Sequence, residues 1–196
     1  MRLSYVLACS LALTAGAAAA GAADTVARPE KAEVCLACHG ADGVSQTQGT
    51  PSLVGQPDRF IQWELVFFRS GRRHDPIMEP IASTLSDEDV RALGAYIASL
   101  PIPKVPVPPD SAPDETAGGA ALVEQGHCAA CHGEKFEGLQ AAPRLAGQRE
   151  EYLVKALKDF RSSGRPSMGL AAMNEVAAHM SDENIDAVAH FLARRR

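Results

Sequence analysis

Apolar residues recur at helical spacing along this chain. Phe60, Ile61, Leu65 and Phe68 fall on one side of a helix, and Tyr152, Leu153, Leu157 and Phe160 repeat the arrangement. These runs predict helices over about residues 58–70 and 149–162, with Gly71 and Gly164 as C-terminal stops. A further helix is expected after Ser86 and again after Ser181, because a hydroxyl followed by acidic residues satisfies free amides and suits the helix dipole. Pro101 ends the first of them. A short helix is expected to lead into each of two similar words, Cys35-Leu36-Ala37-Cys38-His39 and Cys128-Ala129-Ala130-Cys131-His132. Nothing alternates with period two, so the expected fold class is all-α.

The pattern is a tandem duplication. Pro51-Ser52-Leu53-Val54-Gly55-Gln56 matches Pro143-Arg144-Leu145-Ala146-Gly147-Gln148, and Leu85-Ser86-Asp87-Glu88 matches Met180-Ser181-Asp182-Glu183. Phe68-Arg69-Ser70-Gly71-Arg72 likewise matches Phe160-Arg161-Ser162-Ser163-Gly164-Arg165. Between the copies, six of the thirteen residues 101–113 are proline, which reads as an extended, semi-stiff linker. The expected domains are therefore 24–100 and 114–196. Each is small for an independent fold, and only 5% of the chain is aromatic. A bulky apolar cofactor would supply the missing core.

The first 23 residues read as an address. Arg2, the apolar stretch Leu3–Leu13 and a run of small residues form a signal peptide, with cleavage expected after Ala23 and export to the periplasm. Cys9 stands too close to Arg2 for a lipoprotein cleavage box, so no lipid anchor is expected. No other run of about 20 apolar residues follows. The net charge of −5 argues against nucleic acid, whose phosphates demand clustered Lys and Arg.

Cys-x-x-Cys-His is the attachment signature of c-type haem. Two thiols three residues apart share a helical face and reach one porphyrin, and the adjacent imidazole meets the iron. A four-thiolate zinc site or two disulfides would use the same cysteines. Neither accounts for a histidine directly after both pairs. Two covalently bound haem c groups are therefore expected, on Cys35 and Cys38 and on Cys128 and Cys131. His39 and His132 supply one axial ligand each. A thioether is the expected second ligand, a soft donor that favours ferrous iron. Met78 is the methionine available in the first unit. In the second, Met173 precedes Ser181 by the eight residues that separate Met78 from Ser86, while Met168 and Met180 are rivals. Met180 falls opposite Leu85, a core position. His74, His127, His179 and His190 read as surface or packed histidines.

The duplicated words resemble the dihaem cytochrome c4 family, two class I cytochrome c domains in one chain. The resemblance runs over residues 24–196 through Cys-x-x-Cys-His-Gly, Pro-x-Leu-x-Gly-Gln, the Phe-Arg-Ser-Gly-like loop, Met and Ser-Asp. It implies two domains about a pseudo-twofold axis, with Pro51 and Pro143 placing their carbonyls against His39 and His132. It also implies an electron carrier, not an enzyme, that passes electrons between redox protein partners, from a donor dehydrogenase or respiratory complex to an acceptor such as a terminal oxidase. An electron-transfer subunit of a periplasmic sulfur-compound dehydrogenase is the alternative, and a dihaem enzyme a more distant one. Docking on a membrane complex and dimerisation stay open. The proline-rich linker and Met180 depart from the family pattern. Trp63, Val66 and Phe67 form an apolar stripe where the second copy has Lys155, Lys158 and Asp159. The stripe reads first as core or inter-domain packing, and second as a docking patch.

Overall fold

The computed structural model describes residues 26–104, 107, 109–167 and 172–196. The signal segment, Cys9 and Met168 lie outside the described residues. Among those described the chain is helical: α1 Ala32–His39, α2 Asp58–Arg69, α3 Met78–Ser83, α4 Asp87–Ser99, α5 Pro113–Gln125, α6 Ala129–His132, α7 Glu150–Arg161, α8 Ala172–Ala178 and α9 Asp182–Ala193. The nearest thing to sheet among these residues is one isolated bridge between Leu139 and Ala142.

Two separate cores form. In the first, Phe60, Ile61 and Leu65 of α2 pack with Val90, Leu93 and Ile97 of α4, joined by Ala32 and Leu85. In the second, Leu153 and Leu157 of α7 pack with Ile185, Val188, Ala189 and Leu192 of α9, joined by Val123, Phe136 and Ala146. Each fully buried Leu, Ile or Phe contributes about 1.5–3 kcal/mol. Helices α5 and α9 cross closely, because a Cβ on Gly119 would lie 2.1 Å from the Ala187 carbonyl oxygen. Glycine is what permits that approach.

Twin arginines fasten the middle helix of each unit to the turn before the last. Arg69 donates to the Leu85 carbonyl at 2.9 Å and to Asp87 at 2.6 Å. Arg161 donates to the Met180 carbonyl at 2.8 Å and to Asp182 at 2.5 Å. The contact aligns Met180 with Leu85 in space as well as in sequence.

Three features depart from the sequence reading. Helices α3 and α8 span only six and seven residues, too short to show a period. Pro113, read as the last linker residue, opens α5, where its missing N–H would have no intrahelical partner anyway. The apolar stripe divides: Phe67 is 3% exposed, whereas Trp63 is 47% exposed and only tilts against it at 5.8 Å between ring centroids.

Candidate haem-binding sites

Each Cys-x-x-Cys-His word ends a helix on its histidine. The next residue, Gly40 or Gly133, turns the chain with φ of 91° or 86°. A Cβ on Gly40 would meet the Val44 carbonyl oxygen at 2.2 Å, so the reversal requires glycine. The reversal returns the loop to Pro51 and Pro143. Cys35 and Cys128 are half-buried, Cys38 and Cys131 exposed, and no disulfide joins any of the four. Burial pushes the Cys35 and Cys128 thiols up. Among the described residues no three His, Cys, Asp or Glu side chains stand close enough to share a metal ion, which removes the four-thiolate zinc site. Two cysteine pairs that form no disulfides, each followed by a histidine, suit covalent porphyrin attachment instead.

The two histidines are 7% and 6% exposed. Nδ1 of His39 lies 2.8 Å from the Pro51 carbonyl oxygen, and Nδ1 of His132 lies 2.8 Å from that of Pro143. A carbonyl oxygen only accepts, so Nδ1 carries the proton in both rings. Burial lowers both imidazoles below their ordinary 6.5, against a smaller opposing pull from the carbonyl. A buried neutral ring with Nδ1–H committed presents the lone pair of Nε2, which is the form a metal binds.

The thioethers occupy matching places. Met78 opens α3 and Met173 lies in the first turn of α8. Both are half-buried and pack against the core of their own unit. Met180 sits in the turn between α8 and α9, at the level of buried Leu85. Asp75 orders the approach to α3 by accepting from the Met78 amide at 3.0 Å. In the second unit Asn174 does comparable work, bonding Ser167 and the carbonyls of Phe160 and Arg165. Among the remaining histidines, His190 is buried and held by carboxylates, while His74, His127 and His179 are exposed.

Polar side chains that the sequence did not single out join the units. Gln56 and Gln148 are 4% and 6% exposed and each bonds the backbone of the opposite unit. Glu64 of α2 pairs with Arg73 and, across the seam, with Arg165 at 2.6 Å. Burial pushes the Glu64 carboxyl up, but the two guanidinium groups hold it below its ordinary value. Tyr152 receives both arginines, at 3.4 and 3.3 Å. Two guanidinium charges thus face one carboxylate, and buried Arg165 Nε has no hydrogen-bond partner among the described residues. The signal for Gln56 and Gln148 was present as a repeated polar residue in an otherwise loop-forming word. Nothing in sequence marked Glu64, whose twin is Ala156.

A family profile described as "Cytochrome c" matches residues 116–195, and one described as "Cytochrome C oxidase, cbb3-type, subunit III" matches residues 20–97. Cytochrome c4 of Pseudomonas aeruginosa is 35% identical over 201 residues, spanning 97% of each chain. The thiosulfate dehydrogenase electron acceptor of Stutzerimonas stutzeri is 37% identical over 171 residues, spanning 83% of this chain and 79% of that one. The crystal structure of reduced recombinant cytochrome c4 from Pseudomonas stutzeri matches with a TM-score of 0.75 at 28% identity, covering 85% of this chain and 96% of that one.

Proposed function

This chain belongs to the cytochrome c4 family, and from that premise we propose that it is a periplasmic carrier that takes electrons from a donor dehydrogenase or respiratory complex and delivers them to an acceptor such as a terminal oxidase. It carries two covalently bound haem c groups, and it transfers electrons between redox partners rather than transforming a substrate. Residues 1–23 direct export and are removed, leaving a first domain over 24–100, a linker over 101–113 and a second domain over 114–196. Among the described residues no helix is long and apolar enough to cross a membrane.

Cys35 and Cys38 hold one haem through thioether bonds, and Cys128 and Cys131 hold the other. His39 with Met78, and His132 with Met173, ligate the two irons. When bound, each haem supplies an iron that passes between ferric and ferrous states. The protein residues do the rest. Pro51 and Pro143 fix the imidazole planes and strengthen them as donors. Met78 and Met173 would complete the protein's ligand sets, which would keep substrates off the metal. The surplus positive charge at Arg73, Arg165 and Glu64 suits acidic porphyrin substituents. Two sites in one chain let an electron enter at one unit and leave at the other.

The observation that carries this reading is the duplicated pair of buried, Nδ1-protonated histidines, each with a methionine helix at the same step of the repeat. Spectro-electrochemical titration of the matured holoprotein tests it. Met78→Ala and Met173→Ala should each abolish one high-potential step and half of the long-wavelength sulfur-to-iron band. Met180→Ala should leave both. A colourless product of bare polypeptide mass would end the reading. A second reading, a carrier serving a periplasmic sulfur-compound dehydrogenase, draws support from the relative whose name is thiosulfate dehydrogenase electron acceptor. Reduction of the holoprotein by such an enzyme and thiosulfate, at rates that saturate with the carrier, distinguishes it.

A further inference from the structure

We infer that Gln56 and Gln148 are positioning residues that work crosswise, each tuning the haem of the opposite unit. The inference rests on the assignment of His39 and His132 as iron ligands.

The route starts in the repeated word Pro-x-Leu-x-Gly-Gln. Gly55 and Gly147 take φ of 71° and 70°, and each following glutamine closes a turn onto its own leucine carbonyl at 3.1 Å. The glutamine side chain then reaches into the other unit. Gln148 Oε1 accepts from the Ser52 amide at 2.9 Å, and its Nε2 donates to the Ser52 carbonyl at 2.9 Å. Gln56 does the same to Arg144, accepting at 3.0 Å and donating at 2.9 Å. Ser52 and Arg144 are twins in the repeat. The pattern imitates strand pairing with a side-chain amide, and it fixes which end of each amide is oxygen, since the reverse orientation would set donor against donor.

The consequence lies in which peptide group is gripped. The Ser52 N–H and the Pro51 carbonyl belong to one planar amide. That carbonyl accepts from His39 Nδ1 at 2.8 Å. Gln148 therefore pulls on one end of the amide whose other end holds the imidazole. Accepting from the N–H polarises the amide and enriches its oxygen. The bond to His39 Nδ1–H strengthens, and the ring becomes a better donor to iron. A better donor favours the ferric state. Gln56, through Arg144 and Pro143, does the same for His132. Both glutamines are buried, so water does not compete for these bonds.

The test uses holoprotein in which one haem is removed from the high-potential range. In the Met173→Ala background the surviving high-potential step belongs to the first haem, and in Met78→Ala to the second. Methionine matches glutamine in length and offers no comparable hydrogen bonds, so Gln148→Met and Gln56→Met empty the grip while keeping the volume. Gln148→Met should raise the surviving midpoint in the Met173→Ala background and leave it unmoved in Met78→Ala. Gln56→Met should do the reverse. Shifts confined to the haem of the mutated unit, equal shifts at both haems, or no shift would overturn the inference. Persistence of both high-potential steps in the Met→Ala backgrounds would instead overturn the ligand assignment. Hydrogen exchange in the unmutated holoprotein gives a second measurement that needs no variant to fold. The Ser52 and Arg144 amides should exchange slowly, and fast exchange at either removes the grip on that side.

Discussion

The two units repeat what surrounds the haem and differ in what they show each other. Both bond histidine to proline at 2.8 Å, both set a methionine in the first turn of a short helix, and both lay an arginine over a phenylalanine, Arg73 on Phe68 at 4.4 Å and Arg165 on Phe160 at 4.6 Å. At the seam the twins part. Glu64 stands opposite Ala156 in the repeat, and Phe60 opposite Tyr152. Arg149 reaches back to the Ser45 carbonyl at 2.7 Å, and Ser45 bonds the Cys38 carbonyl at 3.2 Å. The reciprocal contact is only Pro57 against Gly138, where no side chain exists to pass the link onward. Duplication preserved the residues that hold a cofactor and released those that govern its surroundings. The two sites differ through their second neighbours.

The largest break in this comparison comes from making the first unit resemble the second at the seam. Glu64→Ala leaves Arg73 and Arg165 buried without their carboxylate. Removing one partner from a buried ionic group costs about 3–5 kcal/mol, and urea unfolding of the holoprotein should register a loss of that order. The glutamic acid is lowered on folding from its ordinary 4.5. Its stabilisation is therefore complete above that value and fades as pH falls through the lower folded value. The acid-side loss of stability should be shallower in the variant. An unfolding midpoint close to that of the unmutated protein would mean that the acidic groups of the cofactors, not Glu64, neutralise the arginines.

A smaller effect distinguishes the last helices. Tyr96 of α4 is half-buried, whereas its twin His190 in α9 is 3% exposed and gathers charged groups from three directions. Nδ1 lies 3.1 Å from Glu150 of α7, Nε2 lies 3.2 Å from Asp110 of the linker, and Arg194 follows one turn later. Glu115 of α5 stands at 4.0 Å. Burial lowers the imidazole, but its hydrogen bonds to the Asp110 and Glu150 carboxylates raise it above 6.5 overall. A raised histidine stabilises fully below its unfolded value and ceases to do so as pH rises through the folded one. The second unit should lose stability as pH rises above 6.5, seen as a falling unfolding midpoint that His190→Gln abolishes. Asp110, held at about 2 chiefly by the Thr116 hydroxyl and the Ala112 amide, stays charged throughout this range. A midpoint flat across the same range in the unmutated protein would remove the histidine from the account.

Much of the molecule was legible because its chemistry is local. The helices α2 and α7 announced themselves through Phe60, Leu65, Leu153 and Leu157, since burying one face demands that period. The words Cys35–His39 and Cys128–His132 were legible because attachment needs adjacent residues. The seam was not, because its pairs lie 96 and 88 positions apart, Ser52 with Gln148 and Gln56 with Arg144. Distance in sequence hides them, and polarity hides them further, since a glutamine in a loop is ordinary until its partner is known. Trp63 misled for the opposite reason. Its spacing from Phe67 matches a buried stripe, but the helix turns it outward while Phe67 faces in.

The finest separation between the units lies at their matching serine caps. Ser86 accepts from the Asp89 amide at 3.1 Å, and Asp89 returns the bond to the Ser86 amide at 2.8 Å. Lys31 donates to the same carboxylate at 2.8 Å and so ties the residue before α1 to the first turn of α4. Ser181 accepts from the Asn184 amide at 3.2 Å, and among the described residues the Asn184 side chain returns no bond. Replacing a capping serine by alanine costs about 0.5–2 kcal/mol. The Ser86→Ala variant should fall near the upper end and Ser181→Ala near the lower, read from chemical unfolding of holoprotein at low salt. Raising the salt should narrow the gap, because the Lys31–Asp89 pair is partly exposed and screening weakens it. Equal losses at both serines, unchanged by salt, would show that the reciprocal carboxylate adds nothing and that the two caps are energetic as well as positional twins.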